Sequence, residues 1–113
     1  MSTGKYNITA NQGETFKLDF TISTDSVAWD LTTYSARMQV RTSAGASDTL
    51  LSLTSDSEIS LTALGQVSIV VDADTMANVI AGRFVYDLEV ESAGGEVTRI
   101  LEGKFTVRAE VTR

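Results

Sequence analysis

Phe84-Val-Tyr-Asp-Leu-Glu-Val90, then a Gly94-Gly95 pair, then Val97-Thr-Arg-Ile-Leu-Glu-Gly103 is the stretch whose reading decides the fold. In its first arm Phe84, Tyr86, Leu88 and Val90 alternate with Val85, Asp87, Glu89 and Glu91, which is the pattern of a strand with one face buried and one wet. Two arms joined across a Gly-Gly turn read as the closing hairpin of an antiparallel sheet. A three-residue turn over 93–95 sets Ser92 opposite Glu96, Glu89 opposite Arg99 and Leu88 opposite Ile100, so that charge meets charge outside and aliphatic meets aliphatic inside. A two- or four-residue loop would instead turn Arg99 inward, with its guanidinium snorkelling at the rim. Phe105 and Val107 have the opposite parity from Ile100, so one residue must be absorbed between them, and Gly103 is the expected position of a β-bulge.

The same period runs outward from this hairpin. Over 15–24, Phe16, Leu18, Phe20 and Ile22 alternate with Lys17, Asp19, Thr21 and Ser23; further on, Tyr34, Ala36, Met38 and Val40 alternate with Ser35, Arg37, Gln39 and Arg41. Shorter strands are expected over 50–53 and 58–61, and Gly65 bends the chain into Val67, Ile69 and Val71. Short strands separated by Gly, Ser, Asp and Asn clusters, with no alternating long helices, predict an all-β antiparallel sandwich filling residues 1–113 as a single domain. One segment departs from the pattern. Met76, Val79 and Ile80 have helical spacing, with Asp72 or Asp74 as N-cap and Gly82 as stop, so a short helix over about 74–81 should lie as a lid across one end of the core.

Composition removes several classes of function. At 113 residues there is room for one two-layer core, and 42% apolar with 21% charged residues is ordinary for a globular domain. Nine basic against fifteen acidic side chains give a net charge of −6, a poor surface for nucleic acid or anionic membrane. The chain contains no Cys and no His. Disulfides, thiolate chemistry and the commonest general base and transition-metal ligand are therefore missing, and no catalytic, cofactor or metal residues are expected. No apolar run approaches the length of a membrane span, and the N-terminus has no secretory signal pattern.

Individual residues permit a sharper and a plainer reading. Trp29 could stack on a sugar or enter a partner, but as the only Trp it more simply seals one end of the sandwich. Asp72 and Asp74 could offer oxygens to calcium, yet helix capping accounts for them better. Asp87, Glu89 and Glu91 resemble paired acids of a hydrolase, but alternating charge on a wet strand has the same appearance. Arg37 and Arg41 can pair with that acidic row across the sheet, or meet a partner. The Ser/Thr/Ala/Asp-rich stretch 42–57 reads as a loop region able to carry binding specificity.

The ordered set Gly4-Lys-Tyr-Asn-Ile8, Gln12-Gly-Glu-Thr-Phe16, Asp30-Leu-Thr-Thr-Tyr-Ser-Ala-Arg-Met-Gln-Val-Arg41, Gly82-Arg-Phe-Val-Tyr-Asp-Leu-Glu-Val90, Val97-Thr-Arg-Ile-Leu-Glu-Gly103 and Glu110-Val-Thr-Arg113 resembles small virion proteins of tailed bacteriophages, marine and cyanobacterial phages included. Its order and spacing are also similar to the N-terminal domain of phage baseplate upper proteins, and the resemblance covers the chain outside 42–66. It implies an immunoglobulin-like sandwich with a structural role in a virion assembled in the host cytoplasm. Its partners would be other virion proteins and copies of itself. The sequence ends at Arg113 with no downstream coil or receptor-binding domain, so a decoration, collar, tail or baseplate component is equally expected. Trp29, Arg37, Arg41, Glu110, Val111, Thr112 and Arg113 are the residues expected to meet a neighbour. The rival reading, a carbohydrate- or cell-surface-binding module that takes a host-surface glycan, rests on Trp29 and the Ser/Thr-rich loops.

Overall fold

The computed structural model describes residues 4–111. In chain order the elements are β1 (Gly4–Lys5), β2 (Ile8–Asn11), β3 (Phe16–Thr21), β4 (Ser23–Thr24), β5 (Val27–Ala28), β6 (Ser35–Arg41), β7 (Leu51–Thr54), β8 (Ile59–Leu61), β9 (Gln66–Val71), α1 (Ala73–Ala77), β10 (Gly82–Glu91) and β11 (Val97–Arg108). One sheet runs β1-β11-β10-β6-β7, with β2 also on β11; the other runs β3-β9-β8, and β4-β5 is a separate ribbon. The predicted alternation is what packs them. Phe84, Tyr86, Leu88 and Val90 of β10, Ala36, Met38 and Val40 of β6, and Val67, Ile69 and Val71 of β9 are all buried in one core, giving an all-β immunoglobulin-like sandwich.

Of the two-, three- and four-residue loops, the closing hairpin has the three-residue one. Ser92 N donates to Glu96 O and Gly95 N to Ser92 O, with Gly95 at φ 89°, the left-handed position that a three-residue hairpin loop gives to glycine. Glu89 faces Arg99 as expected, but Leu88 faces Leu101 rather than Ile100, and the register shifts between Leu88 and Glu89. The bulge thus lies at Ile100, not at Gly103. Ile100 is buried while Leu101 also packs on the core, so widening the strand here lets two consecutive aliphatic side chains reach apolar surroundings.

Gly103 has a different duty, set by the N-terminal strands. β1 and β2 pair with β11 in parallel, unlike the other pairings, and keep one register, Lys5 to Glu102 and Ile8 to Phe105. They are a single strand interrupted at Tyr6 and Asn7. Side chains close the gap: Tyr86 Oη donates to Tyr6 O at 2.6 Å, and Asn7 Oδ1 accepts from Lys104 N at 3.1 Å. Gly103 stands opposite Tyr86, and a Cβ there would lie 2.3 Å from Tyr6 O.

Burial pushes the Tyr86 hydroxyl up to about 12, from an ordinary value of 10.0. The folded chain therefore favours the neutral phenol, and this contribution is complete below pH 10 and lost as pH rises from 10 through 12. We expect Tyr86→Phe to cost about 1 kcal/mol at neutral pH, the net value of one hydrogen bond. The difference between wild type and variant should shrink above pH 10, read by denaturant melts at stepped pH.

The helix is shorter than predicted. It ends at Ala77, with Asp72 as N-cap accepting from Thr75 N at 2.8 Å, and Asn78 as C-cap. The Asp72 carboxyl is accordingly held below its usual range by its hydrogen bonds to Thr75. Met76 and Val79 enter the core as expected of a lid, whereas Ile80 is 61% exposed and Gly82 opens β10 instead of stopping the helix. Two turns of helix would need residues that the extended approach to β10 already uses. Among the described residues no helix is long and apolar enough to cross a membrane.

Candidate contact surfaces

The outer face of the larger sheet carries the acidic row. Because Glu89 lies opposite both Arg37 on β6 and Arg99 on β11, charges of opposite sign become lateral neighbours. Arg37 Nε reaches Glu89 Oε1 at 2.9 Å and Arg37 Nη1 reaches Glu91 Oε1 at 3.1 Å; Arg99 meets Asp87 at 3.4 Å and Glu102 at 3.5 Å. Arg37 therefore makes the expected pairing with the row. Arg41 does not make it: its guanidinium donates to Ala46 O at 2.8 Å and to Gln39 Oε1 at 2.8 Å, which ties down the start of the β6–β7 loop.

A shallow depression of about 540 Å³ lies on this face, with Gln39, Arg41, Asp87, Glu89, Arg99 and Glu102 among its lining. Partial burial, and next the Glu89 charge, raise the Asp87 carboxyl above its ordinary value, with Arg99 and Arg41 pulling the other way. The chemistry on offer is a patchwork of matched charges. Exposed pairs of this kind are worth little individually. Among the described residues no group of three or more His, Cys, Asp or Glu is arranged to hold a metal ion.

Trp29 packs against the core beside the β4-β5 ribbon. Its indole N–H donates to Thr24 Oγ1 at 2.9 Å, its ring tilts against Tyr34 at 6.0 Å between centroids, and its backbone N–H bonds Ile22 O at 3.0 Å. The β4-β5 ribbon thus supplies the indole's partner. Half-buried and packed on the core, the ring has its polar edge already engaged. Trp29→Ala should lower stability by about 2 kcal/mol, less than for a fully buried Trp, in a thermal melt.

At the C-terminus, Glu110 N donates to Gln12 Oε1 at 3.0 Å, while Gln12 Nε2 donates to Val79 O at 2.8 Å. Gln12 so fastens β2, the segment after α1 and the tail to one another. Val111 is 92% exposed, and Thr112 and Arg113 lie outside the described residues.

The feature missed from the sequence is a seam. Between β3 of one sheet and β1 with the adjoining part of β11 of the other lies an open groove of about 520 Å³, lined by Tyr6, Leu18, Phe20, Ile100 and Leu101 among others. Leu18 and Phe20 point inward by parity yet are only half-buried, because among the described residues nothing covers them on this side. Periodicity identifies inward residues but not which strand ends a sheet, so no local signal marked the seam.

No family model matches this chain, and no curated protein matches it. Among solved structures, the crystal structure of CopC from Methylosinus trichosporium OB3b is similar over 100% of this chain and 90% of its own, at 12% identity and a TM-score of 0.43. A likeness of that extent lends no residue or role.

Proposed function

We propose that this chain is a non-enzymatic structural protein of a bacteriophage virion, present in several copies and acting through protein–protein contacts in the tail, baseplate, collar or capsid decoration. The ordered motif set motivates the virion. The observation that carries the contact role is the contrast between two surfaces. On the outer face of the larger sheet Arg37 and Arg99 pair with Asp87, Glu89, Glu91 and Glu102, whereas the seam leaves half-buried Leu18 and Phe20 beside a strand edge that, among the described residues, no strand pairs with. Edges of this kind are where sandwich domains accept a neighbouring strand. Partners on this reading are other virion proteins and further copies of the chain. The alternative, a glycan-binding module, rests on Trp29 and the Ser/Thr-rich loops; the Trp29 indole N–H donates to Thr24 and its ring tilts against Tyr34, while the ring stays partly exposed.

Cryo-electron microscopy of particles from the phage that encodes the chain tests the proposal. Density for a two-sheet domain of 43 × 27 × 23 Å, repeated by the symmetry of one virion part, is expected. A complete map whose density is fully assigned to other proteins would refute it.

A further inference from the structure

We infer that β3 is a self-complementary edge that pairs antiparallel with β3 of a second copy, in a register that sets Lys17 of each copy opposite Asp19 of the other. This rests on reading the chain as an assembly protein and names the surface that the first contact uses.

The direction of the backbone groups follows from bonds elsewhere in the small sheet. Val70 N donates to Glu58 O and Thr62 N to Gln66 O, so Gln66, Ser68 and Val70 of β9 face β8. Val67, Ile69 and Val71 therefore face β3, where they exchange bonds with Phe20, Leu18 and Phe16, and Ile22 N continues the ladder to Gly65 O. The N–H and C=O groups of Lys17, Asp19 and Thr21 consequently point away from the sheet, along an edge that no described strand pairs with. β3 is six residues long with uninterrupted register against β9, whereas the outer strands β1, β2, β7 and β8 have two, four, four and three residues. The chain has no proline with which to block such an edge.

Charge then selects both the occupant and the register. A lone lysine on an edge discourages pairing, but here Lys17 and Asp19 alternate in sign on the exposed outer face. In an antiparallel self-pairing only edge-facing residues can exchange hydrogen bonds, which restricts the choices. Centring the two-fold on Asp19 opposes Asp19 to Asp19, and centring it on Lys17 opposes Lys17 to Lys17. Centring it on Leu18 places Lys17 opposite Asp19 twice, each pair exchanging two backbone hydrogen bonds. On the inner side the same register brings Leu18 to Leu18 and Phe16 to Phe20. The half-buried Leu18 and Phe20 are thereby covered at the seam, and the two small sheets become one sheet across an isologous interface.

Sedimentation velocity over a concentration series, on wild type, Lys17→Asp, Asp19→Lys and the double exchange, tests this. The wild type should dimerise. Each single change sets like charges face to face and should raise the dimer dissociation constant on the order of tenfold, while the double exchange restores opposite signs and should recover most of the affinity. Backbone amides of Lys17 and Asp19 should exchange with solvent more slowly in the dimer. Both side chains are exposed, so melting curves should stay near wild type and separate loss of pairing from loss of fold. A wild type that stays monomeric, singles that leave the dimer unchanged, or a double variant as weak as the singles would each overturn the pairing. Association indifferent to these exchanges would overturn the β3 interface while leaving the assembly reading intact; only absence from virions removes that reading.

Discussion

Gly103→Ala is expected to destabilise the domain by about 3 kcal/mol or more and to release the N-terminal strand. The added methyl would lie 2.3 Å from Tyr6 O and 2.9 Å from Tyr6 C, both backbone atoms that cannot swing aside as a side chain does. Relief requires β1 and the Tyr6–Asn7 step to move off β11. That breaks Tyr6 N to Glu102 O (3.0 Å), Tyr86 Oη to Tyr6 O (2.6 Å) and Lys104 N to Asn7 Oδ1 (3.1 Å), the bonds that bridge the interruption in the strand. Denaturant titration gives the size of the effect. Hydrogen exchange gives its place: the Tyr6 and Lys104 amides should lose protection while β6 and β10 retain theirs. A variant within about 0.5 kcal/mol of wild type would show that the close approach of Tyr6 is not what requires glycine.

Phe105→Ala should cost about 4 kcal/mol, the largest expected loss for a single core side chain here. Phe105 is fully buried and takes edge-on contacts with Phe16 at 5.6 Å and with Tyr86 at 6.2 Å between centroids. Phe16 belongs to the small sheet, Phe105 and Tyr86 to the large one, so the ring joins the two layers and its loss leaves a cavity between them. Such aromatic pairs add about 0.5–1.5 kcal/mol beyond the buried area. With net stabilities of small domains at about 5–15 kcal/mol, the variant should melt some 15–25 °C lower. A shift of a few degrees would mean that the sheets repack without it.

What the sequence made legible is the part governed by period. Inward and outward residues of β6, β9 and β10 are readable because a half-buried sheet imposes strict alternation, whereas the Gly-Gly pair marks a turn without fixing its length. The bulge was misplaced because a parity change fixes only an interval, 100–105, and glycine was the obvious candidate within it. Its real partner, the Tyr6 backbone, comes from the far end of the chain and leaves no mark on the local pattern. Ile80 keeps helical spacing after the backbone has turned toward β10, so the sequence pattern overextends the helix. Arg37 was readable as a partner of the acidic row. The detour of Arg41 to Ala46 O depends on how the 42–50 loop folds back, which spacing does not encode. The edge status of β3 is a property of topology, and only the assembled sheets reveal Lys17 and Asp19 as neighbours along an open ladder.

The central claim, that this chain works by occupying repeated contacts in a virion, is tested most directly by quantitative mass spectrometry of gradient-purified particles. Its peptides should be present at a fixed, multiple copy number per particle, unchanged by a further round of purification. Peptides that are absent, or that fall to trace levels while the other virion proteins hold their ratios, would contradict it.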